Sequence, residues 1–133
     1  MSDQRRLCFK DGVTCVFAHP ALLEALGHAV NVFWEIARVE CIVTALQNGQ
    51  HAPNSLHPFG MAADLRTHHV PEPLRQHVRQ ELAKRLGSDY DVIFEGSGTP
   101  EEHIHVECDS LKAVRYRYLA NRLGVKVEPE ADA

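Results

Sequence analysis

"HIHVEC", residues 103–108, decides how the chain is read. On a strand, side chains alternate between the two faces. Ile104, Val106 and Cys108 then share one face and suit a core, while His103, His105 and Glu107 share the other. A core does not accept a row of two imidazoles and a carboxylate unless something pairs with it. The stretch therefore predicts a strand in a one-sided sheet, with its apolar face covered and its polar face open for chemistry.

The neighbouring segments extend that picture. "MAADLRT" (61–67) reads as another strand, with Met61, Ala63 and Leu65 on one face and Ala62, Asp64 and Arg66 on the other. "VECIVTAL" (39–46) is β-branched and apolar, a buried strand; "YDVIFE" (90–95) is a further strand and "VTCVF" (13–17) a short one. Between Pro20 and Ala37 the apolar residues Leu22, Leu26, Val30, Phe33, Trp34 and Ala37 recur at helical spacing, with Pro at the first turn. Leu74, Val78, Leu82 and Leu86 mark a second helix that ends at Gly87. Leu111, Val114, Tyr118 and Leu123 mark a third, capped by Asp109 or Ser110. The mixed order predicts an α+β domain: a small, mostly antiparallel sheet with about three helices packed on one face. Residues 1–124 form the single expected domain, and 125–133 an acidic tail.

Composition narrows the function. The chain has 133 residues, 44% hydrophobic and 24% charged, with a formal net charge of -4. That suits one globular core and leaves no basic footprint for nucleic acid. No apolar run is long enough for membrane insertion, and the first residues lack a signal peptide, so synthesis in the cytoplasm is expected. The four cysteines are scattered without a CxxC pair and read as free thiols. Histidine is the unusual count, at nine.

Two of the histidine clusters carry chemistry. In "NSLHPFGMAADLR" (54–66), His57 and Asp64 stand seven residues apart. A regular strand would put them on opposite faces. The Pro58–Gly60 turn can break that parity and swing His57 beside Asp64, with small Ala62 keeping the floor open. His57, Asp64 and one histidine from 103–105 would supply two nitrogens and one oxygen. Three protein ligands with one place left for water is the pattern of catalytic zinc, whereas structural zinc closes all four positions.

"SLHPFGMAADL" resembles the Ser-x-His-x-x-Gly-x-Ala-x-Asp signature of the M15 zinc peptidases, the D-alanyl-D-alanine peptidases and phage L-alanyl-D-glutamate endopeptidases. "EEHIHVE" (101–107) resembles their closing motif, about forty residues on. Hedgehog signalling domains share the fold, and the same motifs are close there too. The resemblance covers roughly residues 40 to 108. It implies a hedgehog/D-Ala-D-Ala peptidase-like fold and a Zn2+ held by His57, Asp64 and His105. Ser55 and Gly60 take structural places, and His103 lines the site. Peptidoglycan stem peptides are the implied substrate, met either in the wall after phage or prophage lysis or as recycled wall peptides in the cytosol.

The general base stays open between two carboxylates. Many members place an acid three residues before the last zinc histidine, here Glu102. Hedgehog-like and related phage members place a Glu at the end of the preceding strand, here Glu95. The loop between them is longer than in those relatives, and strand geometry leans to Glu95. Carboxypeptidases of the family carry an Arg upstream of the His and Asp motif to hold the terminal carboxylate. None stands between Thr44 and His57, so an endopeptidase is at least as well supported. Ser55, His51 and Arg66 are the candidates for lining the substrate cleft. Two other classes fit the same residues: a zinc-binding recognition module without turnover, and a phage or prophage structural protein with a structural metal.

Overall fold

A computed structural model describes residues 5–15, 18–47, 60–108 and 123. The elements run β1 (Leu7–Phe9), α1 (Pro20–Ala37), β2 (Cys41–Ala45), β3 (Ala62–Arg66), α2 (Glu72–Leu86), β4 (Tyr90–Glu95) and β5 (His103–Cys108). The five strands form one mixed sheet in the order β1-β2-β3-β5-β4. β1 and β2 are parallel, and the other three pairs are antiparallel. Parallel neighbours need a long crossover, and α1 supplies it.

α1 begins where Pro20 fixes the first turn, with His19 Nδ1 accepting the Ala21 N–H at 3.0 Å. It ends at Arg38, in the left-handed region at φ 56°, whose N–H returns to the Trp34 carbonyl. Its buried face includes Leu22, Leu26, Val32 and Phe33. α2 ends at Gly87, where φ 78° favours glycine. It buries Val78 and Leu82. Both helices join one core with Val43, Leu65, Val92, Ile104, Val106 and Cys108. The apolar face of the sheet is thus covered, as the alternation predicts. Removing a side chain such as Ile104 or Leu65 from water contributes roughly 1.5–3 kcal/mol each. None of the helices among the described residues is long and apolar enough to cross a membrane.

One expected strand is corrected. Residues 13–15 of the expected strand 13–17 are irregular, and the sheet takes Leu7–Phe9 instead. The cause is the turn at Asp11–Gly12, with Gly12 at φ 88° and the Val13 N–H closing on the Lys10 carbonyl at 3.2 Å. It lifts the chain off the ladder, and the Thr14 carbonyl accepts the Gln47 N–H at 3.0 Å. The sheet is therefore mixed, with a parallel edge pair. Two helices are described. The third, expected at 111–123, and the tail at 125–133 lie outside the described residues.

Candidate metal centre

The open face of the sheet is built by register. β5 lies between β3 and β4. Asp64 pairs with His105 and Arg66 with His103 on one side; Glu95 pairs with His103 and Ile93 with His105 on the other. Because Leu65 and Ile104 point into the core, their neighbours in the chain must point out. Antiparallel pairing then brings an acid from β3 and an acid from β4 to the histidines of β5.

The resulting cluster is tight. Asp64 Oδ1 lies 2.9 Å from His105 Nδ1 and 3.5 Å from His103 Nε2. Glu95 Oε1 lies 2.9 Å from His103 Nε2 and 3.9 Å from His105 Nδ1. Glu107 Oε1 is 2.7 Å from His105 Nε2. His103 Nδ1 donates to the Glu101 carbonyl at 2.9 Å. One ligand atom each from Asp64, Glu95 and His103 lies within 4.8 Å of the other two.

His105 is buried at 8% exposure and flanked on both ring nitrogens by carboxylates. Burial alone would lower its pKa. The hydrogen bonds to Asp64 and Glu107, with the charges of Asp64 and Glu95, outweigh that and push it up to about 10. The imidazole is therefore a cation at neutral pH when no metal is bound, donating from both nitrogens. A metal taken there would displace a proton.

The donor set fits zinc, which takes imidazole nitrogen and carboxylate oxygen at about 2.0–2.2 Å. Two ligand atoms of a tetrahedral zinc then lie about 3.3 Å apart. The Asp64–His105 and Asp64–His103 separations bracket that value. His57, the remaining expected ligand, lies outside the described residues, as do Ser55 and His51. Gly60, at the end of the expected turn, has φ 70° and accepts the His19 N–H at 2.9 Å.

The two candidate bases have different surroundings. Glu95 reaches the cluster with 47% of its side chain exposed. Glu102 stands outside it. Its carboxylate accepts the Thr67 hydroxyl at 2.6 Å, the Arg75 guanidinium at 3.4 Å and the Gly98 N–H at 3.5 Å. The Thr67 hydrogen bond holds Glu102 below the usual carboxylate range. Burial opposes this, and Gly98, Arg75 and His68 assist. Arg66 is exposed at the end of β3, across from His103.

Sequence reasoning placed Glu107 on the open face without a role, and the structure seats it on His105. The two-residue spacing was the available signal. Lys10, Thr44 and His68 also border this face beside Arg66 and His103. They come from three separate segments, and nothing in the sequence ties them to the motifs. Comparison with protein-family models, with curated proteins and with solved structures finds no match.

Proposed function

We propose that the chain is a zinc-dependent peptidase that hydrolyses peptidoglycan stem-peptide bonds, in the manner of the M15 family its two motifs resemble. The observation that carries this reading is the convergence of Asp64, Glu95 and His103 within 4.8 Å, with His105 on Asp64. Asp64 and His105, with His57, would hold the metal. When bound, zinc supplies Lewis acidity: it makes water acidic enough to lose a proton near neutral pH and polarises a carbonyl.

The remaining work falls to the chain's own groups. Glu95 is exposed enough to meet substrate and close enough to the cluster to take a proton from the attacking water and return it to the leaving amine. Glu102 is already engaged by Thr67 and Arg75, which supports Glu95 as the base. His103 sits between Glu95 and Asp64. As a donor it would stabilise negative charge on the carbonyl oxygen.

The test is metal content of the full chain paired with digestion of purified peptidoglycan and mass readout of released peptides. About one zinc per chain and a new amine at a defined bond is the expected result. Zinc without cleavage would replace the peptidase with a recognition module. Failure to take up zinc when it is supplied would refute the ligand set.

A further inference from the structure

Two donor sets overlap in the cluster. The peptidase reading uses one of them, Asp64 and His105 with His57. The other is Asp64, Glu95 and His103, one residue from each of β3, β4 and β5, and its hydrogen bonds set it apart. His103 Nδ1 lies 2.9 Å from the Glu101 carbonyl. A carbonyl only accepts, so the ring proton of the neutral imidazole sits on Nδ1 and Nε2 carries a lone pair. That nitrogen faces Glu95 Oε1 at 2.9 Å and Asp64 Oδ1 at 3.5 Å. Three acceptor atoms from three strands are thus turned on one another. A single N–H aims at one acceptor, whereas a metal ion takes all three at once. Ligand atoms of a tetrahedral zinc lie about 3.3 Å apart, and the two measured separations fall on either side of that value.

We infer that Asp64, Glu95 and His103 form a second divalent-cation site, which shares Asp64 with the first and stops turnover when it fills. The inference rests on the peptidase reading for the loss of turnover, but not for the binding. One imidazole nitrogen and two carboxylate oxygens suit zinc, and a carboxylate has lone pairs enough to meet two cations. The second ion is the weaker. It enters against the charge of the first, and Glu95, its outer ligand, is half exposed to competing water. Its effect follows from the atoms it occupies. Glu95 Oε1 can no longer take a proton from water, and His103 Nε2 can no longer support charge on the carbonyl oxygen. The groups that serve the reaction with one ion bound become ligands when a second arrives.

Equilibrium dialysis of the full chain against buffered free zinc, with elemental analysis, tests the site. Wild type should take up one zinc and then, at higher free zinc, a second. Glu95→Gln and His103→Gln should each keep the first zinc and lose the second, and Asp64→Asn should lose both. Uptake that stops at one zinc overturns the site. So does a second zinc that persists in both Glu95→Gln and His103→Gln, since other surface histidines would then be holding it. Digestion of peptidoglycan by wild type over the same range of free zinc should fall as the second ion loads; turnover that holds or rises through that step overturns the inhibitory role. A second zinc lost in both variants with no turnover at any free zinc keeps the site and removes the peptidase reading. Turnover with one zinc at every concentration does the reverse.

Discussion

Glu102→Ala should cost the folded chain about 2–3 kcal/mol without touching the reacting groups. Glu102 is only 10% exposed and its main partner, Thr67, is fully buried. A hydrogen bond to a charged acceptor contributes about 1.5–3 kcal/mol, and the 2.6 Å contact from Thr67 is the short one. The Arg75 pair at 3.4 Å is partly exposed and adds less than about 1 kcal/mol. The 3.5 Å Gly98 contact adds little. The loss is bounded because the Thr67 hydroxyl also lies 3.3 Å from the Glu102 carbonyl, which the substitution keeps. Glu102→Gln retains an acceptor for Thr67 and should cost about 1 kcal/mol. The assay is urea denaturation of the metal-free chain, with Thr67→Val and the double variant completing a cycle. A coupling of about 1–2 kcal/mol is expected. Folded Glu102 is held below its unfolded pKa, so its contribution is present above about pH 4.3 and lost as pH falls through the lower folded value. A Glu102→Gln chain that unfolds at the wild-type urea concentration yet loses turnover would refute the reasoning, because the carboxylate would then be reacting rather than anchoring.

Three further outcomes follow from the same contacts. Asp64→Asn and His105→Ala should each abolish zinc uptake by elemental analysis, whereas Glu95→Gln should keep zinc and lower turnover about 10²–10⁴-fold; a Glu95→Gln chain with full turnover would exclude it as the base. His105 has its folded pKa raised to about 10, against about 6.5 unfolded. Its contribution to the metal-free chain is complete below about pH 6.5 and lost as pH rises towards 10. Urea midpoints measured from pH 7 to 10 should fall in the wild type and less so in His105→Ala. Tyr90→Phe removes the buried hydroxyl bond to the Ala21 carbonyl at 2.9 Å. It should lower stability by about 1 kcal/mol, read by urea denaturation, with zinc uptake unchanged.

What could be read from the sequence was what local periodicity encodes. The 3.6-residue spacing gives α1 its ends at Pro20 and Ala37, and two-residue alternation gives β5 its two faces. β1 escaped because Leu7–Phe9 is three residues long, and its strand state comes from the parallel partner Cys41–Val43. "VTCVF" has the better β-forming composition, but the turn at Gly12 removes it from the ladder. The site divides in the same way. That His103, His105 and Glu107 share a face is local. That Asp64 stands opposite His105 and Glu95 opposite His103 is a matter of register between distant strands. Glu102 had the right spacing for a base, and only the packing of Thr67 and Arg75 around it shows what engages it.

The core on one face and the cluster on the other are one arrangement. Sliding β3 by one residue against β5 would move Leu65 off Ile104 and turn Asp64 towards the helices, since a one-residue slip exchanges the faces. Burial of Leu65, Ile104 and Val106 therefore fixes Asp64 on His105. That arrangement gathers the carboxylates of Asp64, Glu95 and Glu107 around two imidazoles. Three acids so close repel one another unless positive charge joins them. The proton on His105 is one such charge, and its pKa of about 10 reports how strongly the acids hold it. A divalent cation on Asp64 and His105 would supply the charge in another form. Proton and metal then compete for the same electrostatic well, and the carboxylates that raise the imidazole pKa also attract the metal.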